Sequence, residues 1–484
     1  MIISLRRHRP CPRQIAVGAL AVGLLLLLCF RLAETGGYLN LASKDLLFMG
    51  DEPKYLRMTY SLMRAGDLDL TNLVTWPDER KQIREEARRK GSFGFGDLYV
   101  VGVKGGIYSL HMPGFSAFIL PAYILDSRLS PPNPQKAPTA NHVASDPLFF
   151  LPEEMIAVRL WLMATAMGVL LLLFRLLDNI LRSLVLTGLG LLLFILVSPF
   201  PDYALQMYPE AAATFFSLLA LNALLFPFRR KRVNDLLLVI GIGALPWFHQ
   251  RYIPLAFGLF CAFLIFRRRT GASLKKIMGI GLCLFLLSLP YFYYFYSITG
   301  SPSPMSPIQI AYGGTFARWS TLLLGFFGQI FHLEWGLLWV YPWFFLFLMG
   351  VYQGLKTDRK ISLAQLAVLA PYYLMCSAAV PWNGAAFPPG RFLVAAFPIF
   401  VVFAMIFLRD ILRRPALPRL MIYGAWALGV GLNTVFRFEK FDFGFKVLNP
   451  QEWARIALCL VIVLALYLSL FWADRFSRFR NQKP

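Results

Sequence analysis

Long apolar runs, most of them approaching the length of a membrane span, recur along most of this 484-residue chain. About 20 consecutive apolar residues in a helix are needed to cross the hydrocarbon core of a bilayer. The runs accompany a composition that is 57% hydrophobic and 15% charged, with a mean hydropathy of +0.57. Such a chain is too apolar for a soluble protein of its length. The sequence therefore predicts an all-α polytopic membrane protein.

Lysine and arginine gather in short clusters between the apolar runs, as expected for the cytoplasmic loops of membrane proteins. Four arginines near the N-terminus place that terminus in the cytoplasm, so the chain first emerges on the external side near Leu32. The formal charge of +22 is thus explained by topology, and no nucleic-acid partner is inferred. Six scattered cysteines show no paired spacing that would suit zinc or a disulfide framework. After a first span near residues 15–30, the pattern predicts spans at 155–174, 183–199, 209–228, 235–249, 252–266, 277–297, 336–353, 362–380, 391–408, 418–436 and 453–472, which makes about twelve.

The segment Tyr108 to Leu125 is apolar but short, and Pro113, Gly114 and Pro121 interrupt it. It can be a span, or it can be an interfacial or re-entrant helix. If it crosses, the basic clusters at 229–232 and 267–276 cannot both be cytoplasmic without a further crossing. The positive-inside pattern therefore favours a helix that does not cross.

The stretch Gly50 to Asn72 places two adjacent carboxylates, Asp51 and Glu52, at the start of a predicted helix just outside the first span. Pro53 suits a first helical turn, and apolar residues follow at helical spacing. Two interpretations remain open. The acids can complement the helix macrodipole, or they can supply carboxylate chemistry on the external face.

Further charged residues share the predicted external face with this acidic pair: His111, Asp202, Glu210, His249, Arg251 and Arg391. Charges at the ends of spans normally face a cavity, a partner or lipid headgroups, because contact with lipid tails is costly. Arg251 and Arg391 can be headgroup anchors. Glu210 has no cationic neighbour in sequence that would explain it.

The order of these motifs resembles the GT-C superfamily of integral membrane glycosyltransferases, in the branch of protein O-mannosyltransferases, bacterial aminoarabinose transferases and RgtA/B/C/D-like enzymes. The resemblance is carried by D-E-P-K-Y-L, S-L-M-R-A-G-D-L-D-L, S-L-H-M-P-G-F, A-V-R-L and S-P-F-P-D-Y-A-L-Q-M-Y-P-E, with P-P-G-R-F-L-V-A-A-F-P as a later match. It covers the first half of the chain well and the second half mainly as topology. It implies a GT-C-like fold and transfer of a sugar from a polyprenyl-phosphate donor to an envelope glycan, lipid or protein, with the active site facing the exterior or periplasm of a bacterial inner membrane.

For an inverting transfer of this kind, the chemistry needs a carboxylate near the acceptor hydroxyl and positive charge near the departing phosphate. Asp51 is the first choice for the carboxylate, followed by Glu52 and Glu210. Arg251 and Arg391 are the candidates for binding the donor phosphate. The remaining candidates, assigned to the substrate pocket, are Lys54, His111, Asp202 and His249.

A divalent metal ion such as Mg²⁺ or Mn²⁺ is an alternative source of positive charge, but one histidine and dispersed acids define no ligand set. Asp67-Leu68-Asp69 resembles the D-x-D metal motif of nucleotide-sugar transferases. Nucleotide donors are cytoplasmic and these residues are predicted to be external, so they are interpreted as loop structure.

The predicted organisation has five parts: the cytoplasmic tail with the first span (1–31), an external catalytic loop with juxtamembrane or re-entrant helices (32–154), spans two to seven (155–297), an external loop (298–335), and spans eight to twelve with a cytoplasmic tail (336–484). A transporter or flippase is the alternative, because about twelve spans with both termini inside are also common among carriers. Carriers usually show internal repeats and mid-membrane sites. No such repeat is visible, and the acids cluster on one face.

Overall fold

The fold is mostly helical in a computed structural model of the chain. The structure describes residues 52–71, 99–131, 155–196, 198–204, 206–228, 230–269, 273–312, 318–332, 334–341, 343–380, 382 and 390–412. Asp51, the first predicted span and the predicted spans at 418–436 and 453–472 lie outside these residues.

The structure describes sixteen helices, and the bounds of many of them agree closely with predicted spans. They are α1 (Glu52–Arg64), α2 (Gly114–Leu129), α3 (Ile156–Leu181), α4 (Leu184–Leu196), α5 (Phe200–Ala204), α6 (Pro209–Leu225), α7 (Lys231–Gly243), α8 (Leu245–Phe248), α9 (Ile253–Arg269), α10 (Leu274–Thr299), α11 (Ser306–Tyr312), α12 (Trp319–Phe331), α13 (Leu337–Val340), α14 (Phe344–Thr357), α15 (Arg359–Ala378) and α16 (Phe397–Ile411). Two short 3₁₀ helices, Gln250–Tyr252 and Arg391–Ala396, lead directly into α9 and α16.

Four described helical segments are long and apolar enough to cross a membrane: Ile156–Leu181, Leu274–Thr299, Arg359–Ala378 and Arg391–Ile411. Four shorter apolar segments accompany them: Leu184–Ile195, Pro209–Leu225, Gln250–Phe266 and Trp319–Phe331. These lengths and compositions indicate an α-helical membrane protein. The count of twelve spans stays a prediction.

Helices α3 and α6 run parallel and begin at the same end of the bundle. Gly168 packs against Phe215, and the Asn222 amide donates to the carbonyl of Leu172, which lies further along α3 just as Asn222 lies further along α6. We call the end at which α3 and α6 begin the upper end. Helix α7 returns antiparallel to α6, with Gly241 against Ala220.

Glycines allow close approach between other helix pairs. A Cβ on Gly350 of α14 would collide with the backbone of Phe403 in α16, and a Cβ on Gly258 of α9 would lie 2.6 Å from the carbonyl oxygen of Ala367 in α15. Small residues at such crossings let membrane helices gain packing contacts that larger residues would prevent.

Helix α2, which corresponds to the interrupted segment after Tyr108, has both of its ends at the upper end of the bundle. Gly114 at its start packs directly on the backbone of Trp247 in α8. Asp126 near its other end accepts hydrogen bonds from the amides of Ala157 (2.7 Å) and Val158 (2.9 Å), and so satisfies the first turn of α3. The prediction that this segment does not cross the bilayer stays a prediction, and this placement supports it.

The predicted external loop before α2 contains an antiparallel hairpin, β1 (Tyr99–Val101) and β2 (Ile107–Ser109), in which Val100 pairs with Tyr108. This is the one departure from an all-α fold among the described residues. The amide of Val103 in the hairpin turn donates to the carbonyl of Ile298 at 2.8 Å, which ties the hairpin to the end of α10.

The D-x-D residues are part of this loop structure, as the sequence indicates. Asp67 Oδ1 accepts from the Ser61 hydroxyl and the Asp69 amide. Asp69 Oδ1 accepts from the amides of Thr71 and Ile107, the latter at the start of β2. Both carboxylates therefore fix the turn between α1 and the hairpin.

Residues 298–335 are predicted to form an external loop. They contain a 13-residue apolar helix, α12, and their external position stays a prediction. Gly325 of α12 packs on the backbone of Ser377 in α15, while Trp319 and Leu323 are exposed. The apolar run is shorter than a span, so the length criterion missed it. It is nevertheless long enough to pack one face on a neighbouring helix.

Candidate functional site

Glu210 lies in the first turn of α6 at the upper end of the bundle, and its side chain is completely buried. The local sequence Tyr208-Pro209-Glu210 explains this placement. Tyr208 is extended and precedes the helix, and Pro209 occupies its first turn, where its missing N–H costs nothing. An acidic residue is favoured there by the helix dipole.

Two arginines donate to the same oxygen of this carboxylate. Arg251 Nη2 lies 2.6 Å from Glu210 Oε1, and Arg391 Nε lies 3.0 Å from it. The two arginine side chains are only 3% and 13% exposed. Glu210 therefore acquires in space the cationic neighbours that its sequence surroundings lack.

Arg251 is held by the 3₁₀ helix that joins α8 to α9. The Nδ1 atom of His249 accepts the backbone N–H of Arg251 at 3.1 Å and so caps this short helix. The guanidinium also donates to the hydroxyl of Tyr252 at 3.0 Å, and it lies 4.9 Å from the ring centre of Phe392. Ring contacts and hydrogen bonds thus fix its orientation.

Arg391 begins the second 3₁₀ helix, directly after Gly390. Gly390 has φ of +86°, a left-handed conformation that residues with a side chain rarely adopt. The Arg391 guanidinium lies 4.5 Å from the ring centre of Tyr208, the residue that precedes α6. The glycine turn therefore directs the arginine back over the start of α6.

Two polar atoms in this cluster have no hydrogen-bond partner within the described part of the chain. They are Oε2 of Glu210 and Nε of Arg251, and both are buried. Buried polar atoms are normally paired, and orphaned ones are often found at functional sites. The cluster thus offers one acceptor and one donor in addition to the ion pairs that hold it together.

The acidic helix α1 docks on the same region. Oε1 of Glu52 accepts the backbone N–H of Met207 at 2.8 Å, three residues before Glu210. Glu52 is buried in the first turn of α1, as predicted for a helix that begins at the acidic pair. Asp51 lies outside the described residues, but its neighbour Glu52 is at the entrance of α6.

The other predicted pocket residues lie at varying distances from this cluster. His249 is part of it through its cap on Arg251. Asp202 lies in α5 next to Tyr203, and burial raises the pKa of the Tyr203 phenol, so Tyr203 stays neutral although Arg391 opposes the shift. Lys54 is buried in α1 and His111 makes an edge contact with Tyr55 of that helix, with ring centres 5.0 Å apart. These last two therefore belong to the α1 side of the upper end.

Sequence reasoning did not select Arg159 as a site residue. It is buried in the first turn of α3 and interacts electrostatically with Glu52 and Asp126. The signal that could have found it is an arginine inside an apolar span, which is costly unless it faces acidic groups.

Within the ranges described above, no group of three or more His, Cys, Asp or Glu residues is positioned to hold an ion.

Comparison of the chain with family models, curated proteins and solved structures found no match. The function proposed below therefore rests on the geometry of these residues and on the sequence resemblance.

Proposed function

We propose that the protein is a membrane glycosyltransferase that transfers a sugar from a polyprenyl-phosphate donor to an envelope glycan, lipid or protein, with inversion. The observation that carries the proposal is the convergence of Arg251 and Arg391 on Glu210, beside the docked acidic helix α1. An acidic element and a pair of oriented guanidinium groups at one end of a membrane bundle are what this reaction requires.

In this mechanism the two arginines bind the donor phosphate. A guanidinium group presents several N–H donors in a planar fork that matches phosphate oxygens, and the unpartnered Nε of Arg251 is one such donor. A departing phosphate needs no proton, so positive charge next to it stabilises the transition state more than a general acid would. Glu210 then acts as a positioning residue, because it holds both arginines at one point.

Asp51 is proposed as the base that accepts the proton of the acceptor hydroxyl. Its neighbour Glu52 has one oxygen engaged by the Met207 amide, which ties the start of α1 to the start of α6. Glu52 is thereby suited to holding the acidic segment close to the arginines. Asp51 is then the member of the pair left for chemistry.

The simplest alternative is that Glu210, Arg251 and Arg391 have a purely structural role. Buried ion pairs are seldom a source of net stability, because desolvation offsets much of the Coulombic gain. Here three segments far apart in sequence bring charges together, and two buried polar atoms remain unpartnered within the described residues. Such an arrangement is more readily explained by ligand binding than by packing.

The orientation of α10 supports an external site. Lys275 and Lys276 lie in the first turn of α10. Tyr293 and Tyr296, which are exposed, lie in its last two turns. The 21 residues from Lys276 to Tyr296 extend about 30 Å, which matches the hydrocarbon thickness. Lysines mark cytoplasmic ends and tyrosines mark interfaces. Tyr291 contacts Trp247 at the upper end (5.3 Å between ring centres), so the upper end is proposed to face the exterior or periplasm of a bacterial inner membrane.

The test uses purified full-length protein and a labelled polyprenyl-phosphate sugar. Transfer to an acceptor, or release of sugar, is expected from the wild type. Asp51→Asn should lower turnover by at least about 10²-fold, as expected for loss of a general base, with donor binding retained. Glu334→Gln, which alters an exposed carboxylate, is the control and should be active.

Donor binding is tested by Arg251→Lys and Arg391→Lys, which keep the charge but remove the fork. Each should raise the donor KM. Unchanged donor affinity in both variants would reduce the arginines to structural partners of Glu210. Movement of intact donor across vesicles without transfer would indicate a flippase instead.

A further inference from the structure

A second cluster, separate from the Glu210 ion pairs, lies between the end of α12 and the end of α15. It consists of Gln329, His332 and Trp382, which we call the indole cluster. The Trp382 ring packs so close to α12 that a Cβ on Gly328 would lie 2.8 Å from its atoms. The His332 ring meets the same indole at 61°, with ring centres 5.5 Å apart. Glycine at position 328 is therefore what seats this tryptophan against the helix.

Gln329 is 5% exposed, and neither its amide nitrogen nor its amide oxygen has a hydrogen-bond partner among the described residues. A buried amide with both ends unpaired is unfavourable, and native proteins seldom retain one without a ligand or water. Gln329 lies in the last turn of α12, next to Gly328, and His332 is the residue that ends this helix.

The His332 ring is held by the turn that follows α12. Its Nδ1 accepts the backbone N–H groups of Glu334 (3.2 Å) and Trp335 (3.3 Å). The indole cluster thus presents an apolar aromatic surface and an amide that can donate and accept, and it contains no lysine, arginine or carboxylate side chain.

These groups suit a neutral ring that has C–H bonds on its face and hydroxyls at its edge, which is the chemistry of a carbohydrate. The aromatic ring can pack against the C–H face of the sugar, and the amide can form hydrogen bonds with its hydroxyls. The cluster contains no lysine or arginine that would favour an anionic ligand.

A short backbone segment connects the indole cluster to the ion pairs that Glu210 makes with Arg251 and Arg391. Gly336 packs on the backbone of His332, and the next residue, Leu337, lies against Gly390, which precedes Arg391. We propose that the indole cluster is a subsite for a neutral sugar ring, next to the phosphate site at Arg251 and Arg391. This inference deepens the proposed function and rests on it. The ring can be the donor sugar or a sugar of the acceptor.

The binding test needs no donor and no turnover. Full-length protein in nanodiscs is mixed with neutral methyl glycosides of common hexoses, pentoses and N-acetylhexosamines, and saturation transfer to their ring protons is measured by NMR. At least one glycoside should show transfer with the wild type. Gln329→Leu and Trp382→Ala should each reduce it by about tenfold.

Gln365→Leu is the matched control, because the Gln365 amide in α15 is also buried and without a partner among the described residues. It should retain binding. The inference is overturned if no glycoside binds the wild type, if Gln329→Leu binds normally, or if Gln365→Leu loses binding equally. Gln329→Leu preserves shape, so it remains informative if Trp382→Ala does not fold.

Kinetics then separate the two sources of the sugar. A higher KM for the donor in Gln329→Leu identifies the donor sugar, and a higher KM for the acceptor identifies the acceptor glycan. Glycoside binding without any transfer activity would leave the subsite established and remove the proposed reaction. Transfer activity without Gln329-dependent glycoside binding would support the proposed reaction and overturn the subsite.

Discussion

Replacing Glu210 by glutamine isolates the charge of the buried triad from its shape. The glutamine oxygen can still accept from Arg251 and Arg391, and the new amide group takes the place of an oxygen that has no partner among the described residues. What disappears is the negative charge between two guanidinium groups. We therefore expect the fold to form but to be less stable.

The size of the effect follows from the distances. Both arginine nitrogens lie within 3.0 Å of the same oxygen. Two unit charges about 6 Å apart repel by roughly 3 kcal/mol at an effective dielectric constant of about 20. Removal of one partner from a buried ion pair typically costs about 3 to 5 kcal/mol. The free energy of unfolding should thus fall by about 3 kcal/mol, with a decrease in Tm of about 5 °C or more.

Thermal unfolding in detergent measures this change, with Glu334→Gln as the exposed control. A second variant tests the charge coupling by the sign of its effect on Tm. Arg391→Met should destabilise the wild-type background, where it removes a partner of Glu210. In the Glu210→Gln background it should raise Tm, because it removes one of two repelling cations. An unchanged Tm in Glu210→Gln, or equal losses from Arg391→Met in both backgrounds, would refute the charge coupling.

Two further predictions concern topology and packing. Single cysteines at Lys104 and Ser130 should both react with an impermeant thiol reagent added from outside, because α2 is predicted not to cross the bilayer; reaction at Lys104 alone would contradict the twelve-span arrangement. Gly350→Ala should destabilise the protein by about 1 to 3 kcal/mol, since its Cβ would collide with the backbone of Phe403. Gly279→Ala, where nothing lies within 4 Å, should leave Tm unchanged or slightly raised, and equal effects of the two substitutions would contradict the packing.

The sequence was sufficient to select the charged residues of the candidate site one by one, but not to predict which of them form ion pairs. Glu210, Arg251 and Arg391 were each selected because a charge at the end of an apolar span needs a reason. Their contact joins positions 41 and 181 residues apart, which no local pattern encodes. Periodicity and Pro53 likewise predicted α1 correctly, whereas its docking through Glu52 on Met207 depends on the tertiary fold.

Length criteria explain what was missed in the fold. Helix α12 has 13 residues, so its apolar run is too short for a span, and it is recognisable only from its packing on α15. The predicted span 235–249 is divided into α7 and α8, the second of which carries Pro246 in its first turn. Hydropathy registers apolar length but does not register such breaks.

Through helix α10, the thickness of the membrane can affect the conformation of this protein. Only 11% of the apolar stretch of α10 is buried, so most of its surface is open to lipid if the helix spans the bilayer. We expect a spanning helix with so little buried surface to change its tilt when the hydrocarbon layer becomes thinner or thicker. Its C-terminal end is bonded to the hairpin turn through Ile298 and Val103, and that hairpin is tied by Asp69 to the segment that follows α1. We therefore expect a change in lipid chain length to act on this hairpin and on the segment that follows α1.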